Sequence, residues 1–148
     1  MLANAGFEDG VNHWRLQLTD GAQATLVAEP KAGPDGSAAA RVDISVGSPA
    51  RAGISLMPDP IALRQGATYT IALAVRSAET REVRVSLTDS AGQTTNARVF
   101  PVGPAWTVIY FDAKQLVADS AVQIGLDLGR SDATVWFDNV VVREAPVD

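Results

Sequence analysis

The sequence predicts an all-β protein, a sandwich or barrel of antiparallel strands. Apolar and polar residues alternate in run after run, as half-buried strands require. Turn-forming residues punctuate the chain at intervals of about 10 residues. Helical periodicity is nearly absent. The 148 residues suit a single domain spanning 1–148, and a hydrophobic content of 47% is enough for one sizeable core.

The alternation justifies each element in turn. Ala39 to Val46 puts Val42, Ile44 and Val46 on one face. Tyr69 to Arg76 turns Tyr69, Ile71, Leu73 and Val75 inward, and 83–88 does the same with Val83, Val85 and Leu87. The clearest run is 122–128, where Val122, Ile124, Leu126 and Leu128 alternate with Gln123, Gly125 and Asp127. A further strand is expected at 94–100, paired through the hairpin turn Asp89-Ser90-Ala91-Gly92. Pro34-Asp35-Gly36-Ser37 reads as a tight turn, since proline fixes φ and glycine supplies positive φ. Ser77 to Thr80 and Arg130 to Ala133 are read as connections. Pro58-Asp59-Pro60 marks a break, because proline cannot sit within a central ladder. A turn or two of helix is expected around Ala113 to Val117.

Composition excludes several functions. With 12 basic against 17 acidic residues the net charge is −5, a poor match for phosphate backbones or anionic lipid surfaces. Nucleic-acid and membrane partners are therefore not expected. No stretch approaches the roughly 20 apolar residues of a membrane span. The absence of cysteine rules out disulfides, zinc thiolates and thiol catalysis. His13 is the sole histidine, no Gly-x-Ser-x-Gly elbow exists, and no phosphate-cradling glycine loop is present. No carboxylate pair stands out as a glycosidase acid and its partner. Catalysis is not expected. The chain starts without a leader-like segment and stops soon after its last strand, and it is read as an excised module.

The two ends carry a more specific pattern. Asn4, Gly6, Phe7, Glu8 and Trp14 open the chain, and Gly36-Ser37 leads into Ala39-Ala40-Arg41-Val42. Gly66-Ala67-Thr68-Tyr69 opens a core strand, Trp106-Thr107 opens a later one, and Asp138-Asn139-Val140 closes the series. In this order and spacing the sequence resembles the family 4/9-type carbohydrate-binding modules of the galactose-binding-like superfamily. The resemblance implies a β-sandwich jelly roll of two antiparallel sheets that binds polysaccharide without chemistry. It implies a monomeric module of a multidomain secreted or cell-surface protein, joined to a glycoside hydrolase. It also implies a structural calcium, with Glu8 and Asp138 matching the acidic positions and Asp35 a further candidate. The alternative for these acids is a solvated strand end and ordinary turns.

Sugar binding needs aromatic faces for the rings and planar polar groups for the hydroxyls. The outward side chains of the candidate sheet are read as Ala72, Ala74, Arg76, Arg84, Ser86, Thr88, Asn96, Arg98, Gln123, Gly125 and Asp127. The small ones would leave a trough, lined by Arg76, Arg84, Arg98, Gln123 and Asp127. Trp14 and Trp136 are the candidates for stacking, with Phe100 and Tyr110 behind them. Phe7, Tyr69 and Phe111 read as core, and Trp106 as structural. Only 6% of residues are aromatic. A structural or interaction β-sandwich that binds no sugar therefore stays open, with the charged face a solvated ladder of ion pairs.

Overall fold

The structure, a computed structural model, describes residues 2–19, 21–115 and 118–145. In chain order the strands are β1 (Trp14–Leu18), β2 (Gln23–Glu29), β3 (Ala39–Val46), β4 (Ile54–Pro58), β5 (Ile61–Leu63) and β6 (Thr68–Ser77). They continue with β7 (Arg81–Thr88), β8 (Thr94–Val102), β9 (Thr107–Lys114), β10 (Asp119–Asp127) and β11 (Val135–Glu144). The only helical element among the described residues is a 3-10 turn at Arg51–Gly53. None of the helices there is long and apolar enough to cross a membrane. The helix expected around 113–117 is corrected, because Ala113 and Lys114 finish β9. Leu116 and Val117 lie outside the described residues.

The strands form two antiparallel sheets. The first has six strands in the order β1-β4-β10-β7-β8, with β5 also pairing β10. The second has five in the order β2-β3-β11-β6-β9. Their inner faces close over one core. Val42, Tyr69, Ile71, Leu73, Val75, Val83, Val85, Leu87, Val122, Ile124, Leu126 and Leu128 are all buried there, as the alternation predicts. Fully burying one such side chain contributes roughly 1.5–3 kcal/mol. Val46, expected inward, instead ends β3 exposed.

The expected turns form. Gly36 and Gly92 take positive φ in the 33–38 loop and the β7–β8 hairpin. The connections at 78–80 and 128–134 do more than reverse direction. Each joins a strand of one sheet to a strand of the other, β6 to β7 and β10 to β11. Consecutive alternating runs therefore present their polar sides to opposite ends of the sandwich's thickness.

The start of the chain is anchored at both scales. Phe7 is fully buried, and its ring lies 4.8 Å from that of Trp14. The indole Nε1 of Trp14 donates to the Asn4 carbonyl at 3.0 Å, and Val140 N donates to Ala5 O at 3.2 Å. This ties residues 4–14 to β11.

Candidate functional site

The outer face of the six-stranded sheet gathers a compact polar constellation. Register places Asp127 of β10 between Ser55 of β4 and Arg84 of β7. Asp127 is buried to 3% exposure; its Oδ1 accepts from Ser55 Oγ at 2.8 Å and its Oδ2 from Arg84 Nε at 2.7 Å. One register step further along β10, Gly125 pairs with Ser86. A Cβ on Gly125 would stand 2.7 Å from Ser86 Oγ and 3.0 Å from both Ser55 Oγ and Asp127 Oδ1. Those three polar atoms already fill the space over Gly125, so only a residue without a side chain fits there.

Gln123 stands next along the strand. Its Nε2 donates to Pro58 O at 2.7 Å, and its Oε1 accepts from Arg15 Nη2 at 2.6 Å. The result is a trough with a floor of Gly125, Ser55 and Ser86. The Arg84–Asp127 pair stands at one side and the Arg15–Gln123 pair at the other. Planar amide, carboxylate and guanidinium groups in fixed orientations are suited to reading sugar hydroxyls.

Of the residues expected at the site, the structure brings Arg84, Gln123 and Asp127 together. It separates the rest, and the single outward face expected for all of them is corrected. Arg76 and Trp136 face each other across β6 and β11 on the outer side of the five-stranded sheet. The Arg76 guanidinium lies 4.1 Å over the Trp136 ring, a cation–π contact, while the indole Nε1 donates to Glu29 Oε2 at 2.7 Å. One face of that indole is thus covered by protein. Ala72 and Ala74 lie on this same far side. Trp14 is not a surface platform either: it is 7% exposed and packs on Phe7.

Arg98 is corrected for a different reason. It pairs with Val85 and Asn96 with Leu87, so both take the phase of the inward face. Strand β8 is an edge, and Arg98 reaches solvent there with its guanidinium 5.3 Å from the Phe100 ring. An inward-phased charge on an edge strand discourages pairing with another chain.

Sequence reasoning missed Arg15 and Ser55. The signal was present in both cases. Trp14 and Leu16 point inward, which sends Arg15 out, and Ser55 stands between the fully buried Ile54 and Leu56.

The far side carries its own features. A cavity of about 250 Å³ is lined by Pro34, Ala72, Ala74, Trp106, Val108 and Asn139 among others. Val108 and Tyr110 beside it are 68% and 64% exposed.

The three candidate calcium ligands converge near this side. Ser37 Oγ is 2.5 Å from Asp35 Oδ1 and 3.1 Å from Asp138 Oδ2, and Glu8 Oε1 accepts from Ala38 N at 3.1 Å. One hydroxyl proton cannot serve two carboxylates at once. A Cβ on Gly33 would lie 2.6 Å from Asp138 Oδ2, so glycine is what lets the loop close over that carboxylate. Burial pushes the Asp138 carboxyl above its ordinary range, against hydrogen bonds from Asn139 N and Ser37; the charges of Asp35 and Glu8 raise it further. Asp35, fully in solvent and bonded by Ser37, is held below the ordinary value. Among the described residues no group of three or more His, Asp or Glu side chains is arranged to hold a metal by itself. A cation here would need backbone oxygens of the loop as well.

Comparison with solved structures finds the same architecture repeatedly. A protein described as CBM4 shares 21% identity, with a TM-score of 0.86 and coverage of 98% of this chain and 100% of the other. The N-terminal cellulose-binding domain of the Cellulomonas fimi β-1,4-glucanase C shares 20%, with a TM-score of 0.68 and coverage of 95% and 94%. The Clostridium thermocellum endo-1,4-β-D-xylanase 10B, as CBM22-1 and GH10 modules complexed with xylohexaose, shares 18%. Its TM-score is 0.74, with coverage of 95% of this chain and 28% of that one. At these identities the likeness is one of fold. No match is found among curated protein sequences. The carbohydrate binding domain family CBM_4_9 matches residues 1–133. With that span covering every strand except β11, the chain belongs to the 4/9 family of carbohydrate-binding domains and is a carbohydrate-binding module.

Proposed function

We propose that the module binds polysaccharide chains, of the β-glucan, xylan or mannan type, along the outer face of the six-stranded sheet. The single observation that carries this reading is the trough floored by Gly125, Ser55 and Ser86 between the Arg84–Asp127 and Arg15–Gln123 pairs. Its floor is made of small residues packed closely together, and its walls hold fixed donors and acceptors. The module is read as non-catalytic and as part of an extracellular protein carrying a glycoside hydrolase. There it would raise the local concentration of the enzyme at its polymer. The xylanase and glucanase parents of similar domains support that placement.

Affinity gel electrophoresis against β-glucan, xylan and mannan tests the reading. Retardation on at least one polymer, weakened by Arg15→Ala, is the expected result. Free migration on all three would overturn it.

Calcium belongs to the same proposal. Glu8, Asp35 and Asp138, with carbonyls of the 33–38 loop, would supply hard oxygens, and the metal would neutralise a buried carboxylate crowded by two others. A second reading, an interaction β-sandwich that binds no sugar, draws on one observation. None of the residues that the ladders place on the trough face is aromatic, whereas Val108 and Tyr110 stand exposed on the far side.

A further inference from the structure

One end of the six-stranded sheet reverses the acidic character of the chain. Arg81 opens β7 with its side chain folded into the end of the sandwich, at 6% exposure. Its Nε donates to Glu82 O at 3.1 Å, its Nη1 to Ala133 O at 3.4 Å, and its Nη2 to Leu128 O at 2.7 Å and Gly129 O at 3.2 Å. These acceptors are all neutral carbonyls. Among the described residues no carboxylate forms an ion pair with Arg81; Asp132 acts on it from further away. Burial lowers its pKa to about 10, which leaves it charged at neutral pH.

A cavity of about 270 Å³ opens beside this guanidinium, lined by Arg51, Arg81, Arg130, Glu82, Thr80 and Ser131 among others. Three arginines there face one glutamate, whose carboxylate lies 3.6 Å from Arg51. In a chain of net charge −5 this is a local surplus of cation.

The cavity also continues the trough. Glu82 lies two residues before Arg84 on β7 and so shares its face, about 7 Å along the strand. The β4–β10 ladder runs on through Leu128 N to Ile54 O and Gly129 N to Arg51 O, which sets Arg51 beside Gly129.

We infer that this cavity receives the carboxylate of an acidic sugar, a uronic acid unit borne by the glycan that lies in the adjacent trough. The inference rests on the trough being the glycan site. Guanidinium forks match a carboxylate in two parallel hydrogen bonds, and Thr80 and Ser131 hydroxyls can meet the neighbouring sugar oxygens.

The test compares retardation on glucuronoxylan, on the same polymer with its carboxyls reduced to alcohols, and on a sulfated xylan. Glucuronoxylan is expected to bind about tenfold more tightly than its reduced form, with the gap closing at high salt. Arg51→Gln and Arg130→Asn should each remove most of the gap; asparagine suits the positive φ of 70° at position 130. Glu82→Gln, exposed and simple to fold, should widen it. Equal binding of the native and reduced polymers overturns the inference and leaves the trough reading intact. A gap that survives unchanged in all three variants overturns it too, as does a preference for sulfate esters alone. Free migration on every polymer sinks both readings together.

Discussion

Gly125 shows what a single position can decide. In a strand interior glycine normally weakens packing, yet here the space above its Cα is bounded by two serine hydroxyls and a carboxylate oxygen. Gly125→Val would fill the trough floor. Its Cβ alone would stand 2.7–3.0 Å from the buried Ser86, Ser55 and Asp127 side chains, so the melting temperature should fall as their hydrogen bonds are displaced, and polysaccharide affinity should fall by about tenfold or more. Calorimetry on the variant, beside gel retardation, separates the two effects. An unchanged affinity would place the glycan elsewhere. Asp127 was legible as an outward residue because the run from Val122 to Leu128 alternates without interruption. Arg98 was not, since polar residues occupy both faces of β8 and only its pairing with Val85 fixes the phase. Trp14 was misread because composition gives no sign that an indole near the chain start is clasped by Phe7 and the Asn4 carbonyl.

At the scale of elements, most strands were readable and their partition between sheets was not. The runs at 39–46, 69–76, 83–88 and 122–128 all form strands, because small, branched and aromatic residues alternate there with polar ones. The links at 78–80 and 128–134 look like ordinary turns, yet they pass from sheet to sheet and send Arg76 and Arg84 to opposite surfaces. Where β11 meets the 33–38 loop, the ladder with β6 shifts register between Asp138 and Val141, with Asn139 at φ 53°. Such a bulge redirects side chains.

The buried Asp138 gives a pH prediction at this junction. Its folded pKa is raised above 3.8, so its ionised form is the one disfavoured by folding. In chelator, stability should therefore rise as the pH falls through that raised value toward 3.8. Asp35 and Asp119, with lowered values, work the other way and act only near and below 3.8. Calcium should raise the melting temperature at about pH 7, by the equivalent of roughly 2.7 kcal/mol at a hundredfold excess over its Kd. Asp138→Asn should abolish both the calcium response and the gain on mild acidification. Differential scanning calorimetry in small steps from about pH 7 to about pH 4, with calcium and with chelator, reads all of this. A melting temperature indifferent to calcium would remove the metal from the proposal.

For the whole molecule, the placement of the three tryptophans gives a spectroscopic prediction. Trp14 is in the core, Trp136 lies under Arg76 on the five-stranded sheet, and Trp106 lines the cavity on that same far side. Glycan bound over Gly125 would touch none of them. Intrinsic fluorescence should stay constant during a titration that gel retardation reports as binding. A clear blue shift would instead point to the far side.

The two outer surfaces share no side chain, and along every strand alternate positions answer to different masters. Those turned inward are constrained by close packing, where a change of one methylene is felt. Those turned outward are held by hydrogen bonds and charge, as Asp127 is by Ser55 and Arg84, or meet solvent and a passing polymer. The exposed positions among them are free to drift while the inward half keeps the scaffold intact. Ligand preference in such a domain can be rewritten one outward residue at a time, and the interior need never register the change.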